Sequence, residues 1–236
     1  MKKIYIGIGH GGDDPGAVNG DRLEKDDNLR LGLALAAELD GQDCEYMLSR
    51  DDDENGDINT RCSEANSWGA DYFLELHRDS STDSTANGAT CYVYSQATDT
   101  TYAKGEVILK NLVSSSGFKS RGVIRGAANY TDYGVNKYTN MHSCLLECGF
   151  ISSSSDNELF DENLNAMARA LAKAVLSVVG VDYVEYTVED ARNALLAAIG
   201  TGELTEDELY LADLNGDDEV SLSEARTILR RALGLD

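Results

Sequence analysis

The stretch IYIGIGHGGDDPG, from Ile4 to Gly16, decides the fold, because a β-branched and aromatic run leads directly into a glycine-rich turn that carries His10. The run predicts a buried strand over Lys3–Ile8. The glycines permit a tight turn with positive φ and leave room for backbone or ligand to approach. The chain has only three histidines, so a histidine at this strand end is a candidate functional residue.

Strand and helix patterns alternate from this first strand to Val179. Further predicted strands cover 43–50, 70–77, 89–95 and 143–150, and predicted helices cover 28–39, 58–68, 102–115 and 157–179. This alternation predicts an α/β fold, a mostly parallel sheet flanked by helices on both faces. Functional sites of such sheets lie beyond the carboxyl ends of the strands.

Three chemical groups share that strand-end position. His10 follows the first strand, His77 ends another and Glu147 lies near the end of a third, while Glu24 lies on the loop before the helix at Asn28. Two imidazoles and one carboxylate are the ligands of many hydrolytic zinc sites. A further carboxylate can move the proton of the attacking water, and Glu147 is the candidate for that role. Each residue alone could equally be a structural hydrogen-bonding group.

Three stretches resemble, in order and spacing, the zinc-dependent N-acetylmuramoyl-L-alanine amidases of the amidase-3 type. The resemblance covers about Lys3 to Val179. The stretches are GIGHGGDDPGAVNG (7–20), SRDDDENGDINTRCSEANSWGADYFLELHRDS (49–80) and LLECGFISSSSDNELF (145–160).

The resemblance implies roles for four residues. By motif, His10, Glu24 and His77 would bind zinc and Glu147 would be catalytic. The implied reaction is hydrolysis of the amide that joins the lactyl group of N-acetylmuramic acid to the L-alanine of the stem peptide in peptidoglycan.

Some positions depart from the family pattern. Asp79 replaces the usual Asn two residues after the second histidine, and the serines Ser152–Ser155 replace a second Asn. Asp79 could still accept a hydrogen bond near the metal, although it cannot donate one as an amide does. Arg50, Arg61 and Asn66 match further family positions, and we interpret them as buried scaffolding in which an arginine pairs with a neighbouring aspartate.

The C-terminal fifty residues form a separate pattern of three amphipathic helices. The segment DLNGDDEVSLSE (213–224) between the last two has oxygen donors at the spacing of an EF-hand calcium loop. The predicted calcium ligands are Asp213, Asn215, Asp217, Glu219 through its carbonyl, Ser221 and Glu224. Asp218 replaces the usual glycine at position six, and aspartate tolerates the left-handed conformation better than most residues. The segment resembles a dockerin or dockerin-like EF-hand module with one calcium site.

These patterns predict two domains, an amidase domain over 1–180 and a small all-α EF-hand-like module over 187–236. No Pro- or Ser-rich linker separates them, so the module can pack against the first domain. It could also bind a protein partner, mediate self-association or contact the cell wall.

Composition narrows the possible partners. The net charge of −22 argues against nucleic acid and anionic membrane surfaces as binding partners, because both would be repelled. No apolar run approaches the ~20 residues of a membrane span. The start leads straight into a strand, so we expect no signal peptide. The five cysteines are irregularly spaced, which indicates that they are reduced thiols and that the protein is made in a cytoplasm. A phage endolysin fits this pattern, as does an autolysin without its leader.

Two other functions stay open at this point. A zinc peptidase or carboxypeptidase could use the same ligands on wall peptides. A calcium-dependent, non-catalytic binding protein with a decayed amidase fold is the second alternative, although the complete set of four site residues argues against it. We expect His142 to be structural or at the pocket edge, and Asp13 and Asp14 to serve turn formation.

Overall fold

The computed structural model describes residues 1–129 and 131–234. Its strands are β1 (Lys2–Ile8), β2 (Val18–Asn19), β3 (Arg22–Leu23), β4 (Cys44–Leu48), β5 (Tyr72–Asp79), β6 (Ala89–Val93), β7 (Ser120–Arg125) and β8 (His142–Phe150). Its helices are α1 (Glu24–Leu39), α2 (Ile58–Trp68), α3 (Asp99–Ser116), α4 (Gly134–Lys137), α5 (Ser154–Glu162), α6 (Leu164–Val179), α7 (Val188–Ala198), α8 (Glu206–Ala212) and α9 (Leu222–Leu233).

The main sheet has the strand order β4-β1-β5-β8-β6-β7 within the described residues. The first four strands of that order are parallel, β6 is antiparallel to β8, and β7 is parallel to β6. The predicted mostly parallel α/β sheet is therefore confirmed. Because β1, β5 and β8 are adjacent and parallel, their carboxyl ends meet at one edge of the sheet.

Helices cover both faces of the sheet, as predicted. In β1, Ile4, Ile6 and Ile8 belong to the core on the face covered by α1, α3 and α6. Tyr5 points to the other face, where its ring stacks on Phe73 with centroids 4.9 Å apart and packs beside α2. Side chains alternate along a strand, so a strand apolar at every position is buried on both faces.

Helix α1 begins four residues earlier than predicted. Its first residue is Glu24, so the expectation that Glu24 lies on a loop is wrong. Glu24, Asp26 and Asp27 occupy the first turn, where carboxylates interact favourably with the positive end of the helix dipole. The rigid first turn of a helix therefore carries Glu24.

The predicted long helix over 157–179 is also wrong, because the chain bends at Asn163 between α5 and α6. The Asn163 side chain donates to the carbonyls of Leu159 (2.9 Å) and Ser116 (3.3 Å). Such side-chain bonds to backbone compete with helix continuation. In β5, the strand continues past His77 to Asp79 with a register shift against β8.

The last three helices lie where the sequence predicts them. They share a small core formed by Tyr186, Ala191, Ala194, Ala212, Ala225 and Ile228. Arg231 on α9 donates to the Asp40 carbonyl at the end of α1 (2.7 Å), and the Gln42 side chain bonds to the backbone of Val184 in both directions. The helices therefore pack against the first domain, whereas their identity as a dockerin-like module stays a prediction.

Two further features bear on the chain as a whole. In the parts of the chain that the structure describes, no helix has the length and apolar character needed to cross a membrane. All five cysteines are free thiols, and four of them are buried.

Candidate active site

The strand ends bring His10, Glu24 and His77 together into what we term the strand-end cluster. One ligand atom from each residue lies within 4.8 Å of the others. His10 Nε2 is 3.2 Å from Glu24 Oε2, and His77 Nδ1 is 2.8 Å from Glu24 Oε1. The Glu24 carboxylate therefore faces one nitrogen of each imidazole.

Local backbone geometry makes this approach possible. His10 adopts φ 62°, a left-handed conformation that is uncommon outside glycine, and paired 3.0 Å backbone bonds between Gly11 and Asp14 close the turn. Gly16 has φ 65°, and a Cβ there would lie 2.6 Å from both Glu24 Oε2 and His10 Cδ2. Glycine is required at position 16 for conformation and for space.

Surrounding groups hold the cluster in place. Asp14 Oδ2 is 2.8 Å from His10 Nδ1. The backbone N–H of Ala17 donates to Glu24 Oε2 (2.8 Å), and that of Arg78 donates to Glu24 Oε1 (3.0 Å). Asp14 serves turn formation as expected, since its Oδ1 accepts the backbone N–H of Gly16 (3.1 Å), and it also orients His10. The sequence signal for this role is an acid four residues after a histidine in a glycine turn.

Glu24 and the two histidines shift one another's pKa values. Burial acts to lower the pKa of His77, but hydrogen bonding and charge from Glu24 and other carboxylates outweigh it and raise this pKa to about 10. Burial acts to raise the pKa of Glu24, yet the two histidines hold it well below its usual range. A metal ion would have to displace protons from the imidazoles to bind.

Glu147 lies beside this cluster, paired in register with His77 on the neighbouring strand. Its side chain is buried, and its Oε2 has no hydrogen-bond partner among the described residues. Burial raises the pKa of Glu147 to about 8, and the charges of Glu24 and Asp79 add to the rise. The carboxyl group lines a cavity of about 620 Å³, which the strand-end cluster also lines.

Asp79 lines the same cavity without joining the cluster. Its Oδ1 accepts the backbone N–H of Ser80 (2.7 Å). Burial raises the pKa of Asp79. Among the described side-chain contacts, Asp79 therefore bonds to the residue that follows it and not to a member of the strand-end cluster.

Arg50 and Asn66 act as scaffolding. Arg50 donates to main-chain carbonyls around the turn after β1, including those of Gly9 (3.3 Å) and Lys25 (2.6 Å). The expected local pairing of Arg50 with an aspartate is wrong, because Asp53 pairs with the Lys25 ammonium (2.7 Å). Asn66 bridges two backbone groups, donating to one carbonyl and accepting one N–H.

Arg61 lies at the cavity beside the strand-end cluster, whereas His142 does not. Arg61 lines the cavity and lies 3.3 Å from the buried carboxylate of Glu75, a residue that the sequence did not single out. His142 begins β8, at the opposite end from Glu147, and its Nδ1 is 2.7 Å from Thr101 Oγ1. His142 is structural and does not line the cavity.

The acidic loop, residues 213–224, is arranged differently. Asp213 accepts the backbone N–H groups of Gly216 (2.7 Å) and Asp218 (2.8 Å), and Glu224 accepts that of Leu214 (2.9 Å). Asp218 adopts φ 62°, the left-handed conformation expected at position six. In the described part of the chain, the carboxylates of this loop do not form a cluster as compact as that at the strand ends. Calcium binding stays a prediction.

Comparison with known proteins gives a consistent family match. The family model described as N-acetylmuramoyl-L-alanine amidase (amidase-3) matches residues 4–177. The sporulation-specific N-acetylmuramoyl-L-alanine amidase of Bacillus subtilis is 34% identical over 158 residues, 66% of this chain and 59% of that protein. The amidase CwlM of Bacillus licheniformis is 33% identical, over 67% of this chain and 60% of that protein. This chain thus spans about three fifths of the length of each.

A solved structure agrees with these sequence relatives. The catalytic domain of CwlV, an N-acetylmuramoyl-L-alanine amidase from Bacillus (Paenibacillus) polymyxa var. colistinus, superposes with a TM-score of 0.71 at 28% identity. The match covers 77% of this chain and 100% of that domain. The three C-terminal helices lie beyond the residues that the family model matches.

Proposed function

Since the chain belongs to the amidase-3 family of N-acetylmuramoyl-L-alanine amidases, we propose that it hydrolyses the amide between N-acetylmuramic acid and the L-alanine of the stem peptide in bacterial peptidoglycan. The observation that carries this proposal is the convergence of His10, Glu24 and His77 beside the buried carboxyl group of Glu147. The proposed place of action is the bacterial cell wall, and a phage-endolysin origin stays a prediction from the sequence.

The donor set of the strand-end cluster fits zinc. Two imidazoles and one carboxylate are zinc ligands, and three protein ligands leave a position open for a catalytic site. His10 through Nε2, Glu24 through its carboxylate and His77 through Nδ1 would hold the ion. Bound zinc would polarise the scissile carbonyl and make water more acidic.

Glu147 supplies proton transfer in this proposal. It takes a proton from the attacking water and delivers it to the nitrogen of the leaving L-alanine, so a single carboxyl group acts first as base and then as acid. General acid–base catalysis is most efficient when the pKa of the group lies near the working pH, and burial moves the pKa of Glu147 upward from its usual acidic range. A buried carboxyl group that faces the cavity can therefore act both as the base and as the acid.

The cavity walls suit a small apolar segment of substrate. Ile58, Tyr133 and Val135 are among the residues that line it. Apolar walls with a few polar groups that fix orientation are typical of small-molecule sites. We expect the methyl groups of the lactyl ether and of L-alanine to contact this wall.

Mass spectrometry of digested peptidoglycan tests the proposal. Wild-type protein should release intact stem peptides with free L-alanine amino termini, and a chelator or the substitution Glu147→Ala should abolish their release. Release of single stem-peptide amino acids would favour a zinc peptidase instead. Unchanged products from Glu147→Ala would remove the role given to Glu147.

For residues 187–236 we propose one structural calcium site and a docking surface for a protein partner or a second copy of the chain. Helices α7 and α9 carry matching apolar rows with the same spacing along each helix, and all six side chains are exposed. One row is Val188 and Leu195 on α7 with Ile199 at its C-cap, and the other is Leu222, Leu229 and Leu233 on α9. Exposed apolar rows of this kind mark interaction surfaces.

Calorimetric calcium titration tests the loop. Asp213→Ala should abolish a calcium-binding event that wild type shows, whereas Asp207→Ala, an exposed acid on the preceding helix, should leave it intact. Equal binding by wild type and Asp213→Ala would remove the calcium site from the proposal.

A further inference from the structure

Glu75 lies two residues before His77 on β5, so the two side chains point to the same face of the sheet. Its side chain is fully buried. Neither carboxylate oxygen receives a hydrogen bond of normal length and angle from any residue in 1–129 or 131–234. An ionisable group buried in this way is costly unless nearby charges compensate it.

Two cationic or titratable side chains approach this carboxylate. Glu75 Oε1 is 3.3 Å from Arg61 Nη2 and 3.5 Å from His77 Nε2. The opposite nitrogen of the same imidazole, Nδ1, faces Glu24 at 2.8 Å. The His77 ring therefore lies between two carboxylates, one in the strand-end cluster and one behind it.

Strand β1 leaves space for this arrangement. Gly7 is paired in register with Glu75, and a Cβ at position 7 would lie 1.6 Å from Glu75 Oε2. A Cβ at Gly9 would lie 2.4 Å from His77 Cε1. Any larger residue at either position would displace the carboxylate or the imidazole, so the GIG sequence before His10 accommodates both side chains.

His10 has a comparable environment. Its Nε2 faces Glu24, and its Nδ1 is 2.8 Å from the Asp14 carboxylate. In each imidazole, one nitrogen faces the shared Glu24 and the other faces a second carboxylate. A carboxylate on the far nitrogen fixes the tautomer and ring orientation of a metal-binding histidine.

We propose that Glu75 is a positioning residue for His77. With a metal bound it would accept the Nε2 proton, so that the Nδ1 lone pair is directed into the strand-end cluster. The Arg61 guanidinium, 3.3 Å away, supplies a counter-charge beside the buried carboxylate. This inference rests on the proposed function, because it assigns His77 Nδ1 as a metal donor.

Zinc affinity of the Glu75→Gln variant, measured by competition with a chromophoric chelator, tests the proposal. Loss of such an outer carboxylate typically weakens metal binding about 10- to 100-fold, and we expect a decrease of at least about tenfold. The matched control is Glu38→Gln, since Glu38 is also buried and pairs with Arg169 far from the cluster. It should bind zinc as wild type does.

Nitrogen-15 NMR of the zinc-loaded protein gives a second readout that a purely structural role would not change. The chain has only three histidines, which makes assignment direct. Wild type should show His77 protonated at Nε2, with that proton shifted downfield and protected from exchange. In Glu75→Gln the same proton should move upfield and exchange faster. The wild-type spectrum decides the matter even if the variant does not fold.

The outcomes separate the two proposals. A His77 protonated at Nδ1 in the zinc form, or zinc affinity of Glu75→Gln within twofold of wild type, would overturn the positioning role alone, provided wild type binds zinc and cleaves the amide. Wild-type protein that binds no zinc would overturn the zinc assignment in the proposed function together with this inference.

Discussion

The strand-end cluster and the acidic loop are built in opposite ways from similar chemistry. The cluster takes His10 from the turn after β1, Glu24 from α1 and His77 from β5, and places them against one another in a largely buried setting. The acidic loop takes its carboxylates from one continuous segment, and Asp213 and Glu224 bond to backbone N–H groups of that segment. The cluster therefore depends on the whole sheet, whereas the loop can form locally.

The largest effect that could break this comparison is loss of a cluster residue. We expect His77→Ala to lower amidase activity more than about 100-fold, because outer-shell changes alone already cost about 10- to 100-fold in metal binding or activity. Asp213→Ala should leave the activity within about twofold of wild type. Release of stem peptides from purified peptidoglycan, at saturating zinc, measures both.

Thermal unfolding of both variants is the control for this result. A large loss of activity in Asp213→Ala with an unchanged unfolding midpoint would contradict the comparison, because the loop would then be coupled to the chemistry. Residual activity near the wild-type level in His77→Ala would remove His77 from the proposed metal site.

The same contrast explains how far sequence alone could predict the fold. Strand β1 is recognisable because it is apolar at every position from Ile4 to Ile8 apart from Gly7, which is typical of a strand buried on both faces. The local pattern did not predict the break at Asn163, which involves a bond to the carbonyl of Ser116, a residue distant in sequence, as well as the local bond to Leu159. Edge strand β7 has a weak pattern, since most of its residues are exposed.

Some residues of the candidate site could be predicted from the sequence and others could not. His10, His77 and Glu147 could be chosen from sequence because each lies at a strand end, where parallel sheets place their sites. Glu75 could not, since an acid within a buried strand has meaning only once Arg61 and the imidazole of His77 are seen beside it. Contacts that join separate elements are the part that local patterns do not encode.

The second prediction concerns pH and the metal-free protein. Burial raises the pKa of Glu147 from 4.5 to about 8 in the folded state. Between these values the unfolded chain has released a proton that the folded protein keeps, so folding stability falls as the pH rises through this window. Glu147→Gln has no such proton. It should be more stable than wild type at pH 8 by a few kcal/mol, at about 1.4 kcal/mol per pKa unit, and the advantage should largely disappear by pH 5.

Urea unfolding of chelator-treated protein at the two pH values measures this difference. Asp213 provides the opposite case, because burial opposes its ionisation but backbone N–H groups of the acidic loop outweigh burial and lower its pKa. Its contribution is present above pH 3.8 and is lost as the pH falls through the lowered value, so Asp213→Asn should reduce stability at pH 8. A Glu147→Gln variant less stable than wild type at pH 8 would contradict the proposed cost of burying this carboxylate.

The smallest expected effect comes from replacing one glycine beside the strand-end cluster and one in the acidic loop. Gly16 and Gly216 both have positive φ, 65° and 75°, so alanine at either position should cost about 1–2 kcal/mol of stability through backbone strain alone. A Cβ at Gly216 would meet nothing within 4 Å among the described atoms, but at Gly16 it would lie 2.6 Å from the Glu24 carboxylate. Gly16→Ala should therefore also weaken zinc binding, whereas Gly216→Ala should affect stability only. Chelator competition and urea unfolding on the two variants measure both quantities, and equal zinc affinity in the two would show that the cluster tolerates displacement of Glu24, contrary to its proposed dependence on the surrounding fold.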